Sequence, residues 1–269
     1  MRLSYDPLSV FKSSRTPAGL YARQKWLGEL NSSAWKSYFQ HTVIELFAEQ
    51  SANGSWDNSV VSTIKHLFGL HLTVRNCNEP VKRSLEWLIN QSETAFPEKR
   101  IKSEKRLESE DLLGLPFSKG CRGFFLYGAA LFLSSIFGMQ EHTSVLKFYE
   151  WLDSLGIQNG GRWCGWSCSN NILRAFVVHP EYSKSKSTIL MAKALSRIQN
   201  PKGRWVRQVP FYQTVNALAH LSSPESEHQL ERAFKQLYNT QNCDGTWGHK
   251  DREWNTFLVV HALKNKGAF

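Results

Sequence analysis

Gln241-Asn-Cys-Asp-Gly-Thr-Trp247 is one copy of a short pattern, Gln-x-x-x-Gly-x-Trp, that this chain repeats. Residues 50–56 and 199–205 match the pattern position for position, and residues 158–163 match it with one residue deleted. The last three copies begin at 158, 199 and 241, so the steps between them are 41 residues (158 to 199) and 42 residues (199 to 241). A fixed spacing of this size indicates a repeat architecture in which each unit is one supersecondary element.

A degenerate copy is expected between the first two clear ones. Gln91 lies 41 residues after Gln50 (91 − 50), but the charged run at 98–111 follows it instead of Gly-x-Trp. Gln91 and Gln158 are 67 residues apart, so about 26 residues (67 − 41) are inserted relative to the period. The second unit is therefore predicted to carry a polar insertion at about residues 93–119. We interpret this insertion as a mobile flap over one end of the domain.

Each unit is predicted to be a helical hairpin, because apolar residues recur at steps of three and four on both sides of the motif. The helices before the motif are amphipathic: 145–152, 187–198 and 230–238. The helices after it are less charged: 63–70, 171–178, 214–221 and 256–263. The Thr or Asn that opens the second type is interpreted as a helix N-terminal residue, whose side-chain oxygen accepts an orphan backbone N–H. The alternation predicts an all-α fold, an α/α barrel of about five hairpins with an apolar inner ring and an amphipathic outer ring.

The length and the composition favour one globular domain. The chain has 269 residues, of which 41% are hydrophobic, and a continuous repeat shares one core. Residues 34–269 are predicted to form the barrel, and residues 1–33 a lead-in segment packed on it. The net charge of +10 could attract nucleic acid, an anionic membrane or a diphosphate. No nucleic-acid-binding motif accompanies that charge, so we expect no nucleic-acid partner and interpret most of it as solvated outer helices.

The cellular setting is inferred from the cysteines and from the apolar runs. Five cysteines, an odd number, and an N-terminus without an apolar core predict reduced thiols in a cytoplasmic protein. The run 123–139 has 17 residues without a charge, which is at the short limit for a membrane span. It falls where the repeat requires an inner helix, so a buried helix is predicted. Peripheral contact with a membrane stays compatible with the basic surface.

The repeat, followed by a helix that opens in Thr, resembles the one shared by squalene and triterpene cyclases and by the β subunits of protein prenyltransferases. Gly161-Arg-Trp-Cys-Gly-Trp-Ser-Cys168 also looks like the Gly-x-Trp-x-Gly-x-Trp stretches of triterpene cyclases. The resemblance covers roughly residues 34–265, about one barrel, whereas triterpene cyclases of this type have two. It implies an α/α barrel that accepts an isoprenoid chain in a hydrophobic cavity.

The resembling cyclases protonate an alkene or epoxide with an Asp carried in Asp-x-Asp-Asp or Asp-Cys-Thr-Ala at the start of an inner helix. Neither motif occurs here. By position, the candidate acids are Asp251 and Glu253 in the last unit and Asp57 in the first. Paired carboxylates can raise the pKa of one of them, as a general acid requires. The alternative is that these acids only cap helices and complement the helix dipole.

Aromatic and polar residues near the starts of the inner helices are expected to line the cavity, because aromatic faces stabilise developing carbocations. The predicted lining residues are Phe124, Phe125, Tyr127, Trp166, Asn170, Phe176, Phe211, Tyr212, Gln213, Trp254, Asn255 and Phe257.

A metal site is the alternative implied by the prenyltransferase resemblance, since those enzymes bind zinc through Asp-x-Cys and a later His. Cys168 occupies the position of that Cys, but Trp166 stands where the Asp would be. Cys164 and Cys168 with His220 or His261 would form a ligand set that zinc accepts. Mg²⁺ would accompany a diphosphate substrate. No other metal or cofactor is expected.

The favoured function is that of a small terpene-cyclase-like enzyme, an isomerase or lyase, that folds a prenyl chain and cyclises it by protonation. A non-catalytic or accessory binding protein on the same scaffold is the alternative from another class, because fold does not give function. A zinc-dependent prenyltransferase-like enzyme is a third reading. Carbohydrate-active barrels need paired carboxylates in an open groove, and few acids lie at the predicted rim. Chain length, head group, product and oligomeric state are not specified by the sequence.

Overall fold

The computed structural model describes residues 3–94, 107–108 and 110–269. This part of the chain forms eleven α-helices and four short 3-10 helices and has no β-strand, so the predicted all-α fold is confirmed. The helices are α1 (Pro17–Lys25), α2 (Ser33–Phe47), α3 (Val60–Leu72), α4 (Glu79–Thr94), α5 (Arg122–Ile136), α6 (Thr143–Gln158), α7 (Trp166–Phe176), α8 (Lys186–Arg197), α9 (Phe211–Leu218), α10 (Pro224–Asn239) and α11 (Arg252–Asn265).

The odd-numbered helices form a closed ring. Helix α1 contacts α3, each later odd-numbered helix contacts the next, and α11 contacts α1 again. The even-numbered helices pack against the outside of this ring, and α4, α6, α8 and α10 contact one another in chain order. Five hairpins, from α2–α3 to α10–α11, thus supply five inner helices. The sixth is α1, which comes from the lead-in segment and lies between α11 and α3.

Helix α5 shows why the longest apolar run lies inside. Ten of its residues are buried, among them Phe125, Leu131 and Phe132. It contacts α3 and α7 in the ring and α4 and α6 outside it, so both of its faces are covered. No helix in the described ranges is long and apolar enough to span a bilayer.

The repeat motif ties consecutive outer helices together. Gln199 Nε2 donates to the carbonyl oxygens of Gly203 and of Gln229 in α10, each at 3.0 Å. Gln50 makes the equivalent bond to the carbonyl of Pro80 in α4 at 2.9 Å. The motif Trp is buried, and in three copies its indole N–H donates back to a carbonyl in or at the end of the preceding outer helix, as in the 2.9 Å bond from Trp247 to Leu237. Trp205 instead donates to the amide oxygen of Gln229 in α10 at 3.3 Å. The Gln and Trp therefore fasten the motif turn to the neighbouring outer helices.

The interpretation of the Thr as a helix N-terminal residue is wrong, because the helix begins about one turn earlier. Helix α3 starts at Val60 with Ser59 as its N-cap. The hydroxyl oxygen of Thr63 instead accepts the backbone N–H of Trp56 at 3.1 Å, and Thr256 accepts that of Trp247 at 3.2 Å. This Thr fastens the motif Trp to the inner helix.

The end of the insertion packs into the ring. Phe117 is buried, and its ring lies 5.9 Å from that of Phe125 and 5.7 Å from that of Phe132 on α5. Ser118 and Asn171 exchange two hydrogen bonds, at 2.7 and 2.9 Å. Residues 112–118 therefore cover the end at which the inner helices begin. Residues 95–106 and 109 of the predicted flap lie outside the described residues.

Candidate functional site

A central cavity of about 220 Å³ lies on the axis of the ring, and all six inner helices contribute to its wall. Its aromatic residues are Tyr21, Phe68, Phe132, Trp254 and Phe257. The rings of Trp254 and Phe257 are stacked with centroids 5.1 Å apart, and Phe68 meets Trp254 edge-on at 5.6 Å. Such walls suit an apolar or cationic group.

A second cavity, of about 360 Å³, lies where α1 and α11 begin, against α3 and residues 113–115. Phe68, Leu72 and Trp254 line both cavities and form the partition between them. Asp251 and Glu253 line only the second one. Together the two cavities reach the size range of small-molecule sites, about 300–1,000 Å³.

Asp251 is the candidate acid with the most distinctive environment. It immediately precedes α11 in a left-handed conformation, with φ 49° and ψ 45°. Gly114 donates its backbone N–H to Asp251 Oδ2 at 3.2 Å. Burial raises the pKa of Asp251 above its ordinary value, and the bond from Gly114 opposes that shift. A half-buried carboxyl with a raised pKa, held in a strained backbone, has the properties of a general acid.

Glu253 and Asp57 have different surroundings. Glu253 accepts hydrogen bonds from the Ser14 hydroxyl at 2.9 Å and from the hydroxyl of Thr16, the N-cap of α1. It therefore joins the lead-in segment to α11. Asp57 is exposed in the turn before α3, where its carboxylate accepts a 3.3 Å bond from the Ser62 hydroxyl.

Four of the predicted lining residues lie at cavities. Trp254 and Phe257 line the central cavity. Gln213 and Asn255 line a groove of about 370 Å³ at the rim where the inner helices begin, together with Asp251. The structure thus gathers these residues around the start of α11.

The other predicted aromatic residues contact protein side chains. Phe125 packs against Phe117, as described above. The ring of Tyr127 lies 5.3 Å from that of Trp151 on an outer helix. Phe176 is buried and meets Trp163 at 5.5 Å. Phe125 thus packs against the end of the insertion, Tyr127 against an outer helix and Phe176 against a motif tryptophan.

The remaining predicted residues lie near the starts of α5, α7 and α9. The Arg162 guanidinium stacks over Trp166 at 4.4 Å. Asn170 Nδ2 donates to the hydroxyl of Thr214 at 2.9 Å. Phe124, Trp166, Phe211 and Tyr212 are partly buried.

A polar group in the central cavity was missed by the sequence analysis. Its members are His71, Arg75, Arg174, Asn216, His220 and His261. The first five lie at or near the C-terminal ends of inner helices, and His261 lies in the second half of α11. Burial lowers the pKa of Arg174 to about 10. Burial, followed by the nearby Arg174 charge, lowers the pKa values of His71, His220 and His261 to about 3, 2 and 4. These histidines are therefore neutral at pH 7. The signal was available, because Arg174 interrupts the apolar face of its helix.

The cysteines form a separate cluster at the starts of α5 and α7. The sulfur atoms of Cys121, Cys164 and Cys168 all lie within 4.8 Å of one another. Cys121 and Cys164 are exposed, with their sulfurs 3.4 Å apart, and Cys168 is buried. His220 and His261 instead stack on each other at 5.5 Å in the central cavity. The structure therefore brings Cys121, and neither histidine, to the predicted pair of cysteines.

Searches against protein-family models and against curated proteins found no match. Solved structures do share the fold. A protein from Actinoplanes has a TM-score of 0.59 at 15% identity, over 94% of this chain and 89% of that one. The type II terpene cyclase MstE from Scytonema has 0.59 at 12% identity, over 95% and 89%. A variant of that cyclase in complex with geranylgeranyl dihydroxybenzoate as substrate has 0.59 at 11% identity, over 95% and 88%. At these identities the similarity establishes a terpene-cyclase-like fold.

Proposed function

We propose that this protein is a terpene cyclase that folds a prenyl chain across the central cavity and the adjoining one and cyclises it by protonation. One observation carries the proposal: the aromatic wall on the ring axis adjoins a cavity that holds the half-buried carboxyl of Asp251. The ring faces would stabilise the positive charge as it moves along the chain. The fold shared with a type II terpene cyclase supports the same class of reaction.

In this proposal Asp251 acts in its neutral form. Its carboxyl donates a proton to one carbon of an alkene, and the π electrons form the new C–H bond. The neighbouring carbon becomes a cation, which the next double bond attacks to close a ring. A base then removes a proton from the final cation, so the product is an isomer of the substrate. Burial favours the protonated acid that this sequence requires.

Glu253 is proposed as a positioning residue. Its bonds to Ser14 and Thr16 fix the first turn of α1 beside Asp251, and α1 contributes Tyr21 to the aromatic wall. This arrangement keeps the cavity closed between α11 and α3.

The proposal is tested by turnover. Purified protein is incubated with farnesyl and geranylgeranyl diphosphate, their prenylated aromatic derivatives and squalene, with and without Mg²⁺. A cyclic isomer of at least one substrate is expected by gas or liquid chromatography with mass detection. If none is converted but one binds, the accessory binding protein replaces the cyclase.

A zinc-dependent function has one specific observation in its favour, the three cysteine sulfurs. Zinc–sulfur bonds of about 2.3 Å place the sulfurs of one tetrahedron about 3.8 Å apart, which is compatible with the observed cluster. Cys121, Cys164 and Cys168 would hold the ion, and its fourth position would polarise a bound ligand.

We expect that, if this site is used, the purified protein carries about one zinc per chain. Cys164→Ser should remove most of it, because two thiolates bind zinc far more weakly than three. His220→Gln is the matched control and should leave the zinc content unchanged. The metal content is measured by mass spectrometry after dialysis. Equal zinc contents in wild type and Cys164→Ser would exclude the cysteine site.

The cellular setting stays a proposal. We infer a cytoplasmic protein that takes a prenyl ligand and touches a membrane surface only peripherally. Lys119, Arg207 and Lys250 line the rim groove, and the neighbouring Leu113 is 52% exposed. A basic rim with an exposed apolar side chain suits transient contact with an anionic lipid surface.

A further inference from the structure

Two arginine side chains are buried among the described residues, and they have different partners. Arg23 is 4% exposed and pairs with the carboxylate of Glu29 at 2.9 Å. Arg174 is 7% exposed, and its nearest polar partner is the amide oxygen of Asn216. Arg174 Nε has no hydrogen-bond partner in the described structure. One buried guanidinium is thus neutralised by the protein and the other is not.

A second guanidinium lines the same cavity. Arg75 is half-buried, and its ring neighbour is Tyr21, with Cζ 4.4 Å above the ring centroid. It donates to the amide oxygen of Gln24 at 3.2 Å, and its buried Nε has no partner in the described structure. No described residue that lines the central cavity carries a carboxylate. The cavity therefore holds two positive charges without a negative one.

The neighbouring histidines add hydrogen-bonding capacity to this end of the cavity. His220 Nε2 is buried without a partner in the described structure. A neutral imidazole donates one N–H, so His220 and His261 offer two donors without adding charge. The guanidiniums would repel a metal cation from the three histidines, which favours a neutral or anionic ligand here.

The unpaired guanidiniums and unpartnered donors in this cavity lower the stability of the fold unless another group pairs with them. Burying a charged group without a counter-ion is unfavourable, and so is leaving a buried donor without an acceptor. Replacing buried ionic groups by apolar side chains of similar size is often neutral or stabilising, and the contacts of Arg174 with Asn216 and with the Phe132 ring, 5.1 Å away, leave its charge without a counter-ion. An anion with several acceptor oxygens would supply that counter-ion.

We propose that Arg174, with Arg75 and His220, binds a single anionic group, a carboxylate or a phosphate, at the end of an apolar ligand. The apolar part of this inference rests on the proposed function, since the tail would run along Phe132, Phe257 and Trp254. Asp251 and His261 are ten residues apart on one helix, a rise of about 15 Å. A chain anchored at Arg174 and extended past Trp254 into the adjoining cavity would bring its far end, the terminal alkene, toward Asp251.

The test measures the binding of prenyl ligands and, separately, the effect of small anions that have no prenyl chain. Binding of farnesoic acid, farnesyl phosphate and farnesol is measured by titration calorimetry. Wild type is expected to bind at least one of the two anions about tenfold or more tightly than the neutral alcohol. The tighter-binding ligand, farnesoic acid or farnesyl phosphate, identifies the anionic group as a carboxylate or a phosphate. Benzoate and inorganic phosphate, compared with chloride at equal ionic strength, are expected to raise the melting temperature.

Three variants make the result specific to Arg174. Arg174→Met should abolish the preference for the anion and the effect of benzoate or phosphate, leave farnesol binding unchanged, and melt no lower than wild type. Arg174→Lys should retain part of the preference, because it keeps the charge and loses the planar fork. Arg204→Met, which removes an exposed guanidinium stacked on Phe211 at 5.4 Å, should behave as wild type.

The outcomes separate this inference from the proposed function. Equal affinities for farnesol and both anions, or an anion preference that survives in Arg174→Met, overturn the anion site and leave the isoprenoid function standing. A benzoate or phosphate effect that depends on Arg174, without binding of any prenyl ligand, supports the anion site and removes the isoprenoid tail. No effect of any ligand overturns both.

Discussion

Asp251→Asn is expected to lower turnover of a prenyl substrate by roughly a hundredfold or more, the low end for loss of general acid catalysis. The amide keeps the shape of the carboxyl and its oxygen can still accept the N–H of Gly114, but it has no acidic proton. Asn also tolerates the left-handed conformation at this position. The fold should therefore be retained, and steady-state kinetics with a melting curve measure both quantities.

Two matched variants test whether the loss of turnover is specific to the carboxyl of Asp251. Glu253→Gln should reduce turnover less than tenfold, because one amide oxygen keeps part of the bonding to Ser14 and Thr16. Asp57→Asn should leave turnover unchanged, since that side chain is exposed. Because the acid acts while protonated and its pKa is raised by burial, wild-type turnover should fall as pH rises through that pKa. Full activity in Asp251→Asn would place the acid elsewhere.

The second large effect concerns the glycine of the repeat motif. Gly203→Ala is expected to destabilise the protein by about 2–5 kcal/mol. Roughly 1–2 kcal/mol comes from the left-handed backbone, since φ is +82°, and the rest from crowding. An added Cβ would lie 2.2 Å from the carbonyl oxygen of Arg232 in α10. At about 2–4 °C per kcal/mol for a chain of this size, the melting temperature should fall by roughly 5–15 °C.

Gly138→Ala is the control, because Gly138 has the same φ of +82° and no atom within 4 Å of an added Cβ. It should lose only the backbone contribution, about 1–2 kcal/mol. The difference between the free energies of unfolding of the two variants, measured by thermal and denaturant unfolding, isolates the effect of the close approach of Gly203 to α10. If both variants lose the same stability, the motif glycine is needed for its backbone conformation alone.

The repeat made the fold predictable. Each Gln-x-x-x-Gly-x-Trp marks a turn whose glycine needs a positive φ, as Gly54, Gly161, Gly203 and Gly245 all show. The spacing of apolar residues before and after the motif predicted amphipathic outer helices and apolar inner helices, and the packing of the two rings agrees with that prediction. The segment with Pro17 was harder to place, because nothing local distinguishes a lead-in helix from one that fills the ring between α11 and α3.

The site was less predictable, because cavities depend on packing between distant segments. Asp251 was selected by its position before an inner helix, and the structure places it at a cavity. Phe117 occupies space beside Phe125 that was predicted to hold a ligand, because the insertion was interpreted as a flap over the end of the domain and not as part of its packed interior. Arg174 was not predicted as a site residue, because site residues were expected at the starts of the inner helices. The polar end of the cavity lies near the C-termini of those helices.

Protonation of a prenyl chain inside the ring is tested by isotope incorporation from solvent. The protein is incubated in D2O with each prenyl substrate, and the products are analysed by mass spectrometry. A proton donated by Asp251 comes from solvent, so the account predicts a cyclic product heavier than its H2O counterpart by one deuterium. Asp251→Asn should form little of it. A cyclic product without deuterium, or no cyclic product from any substrate, contradicts the account.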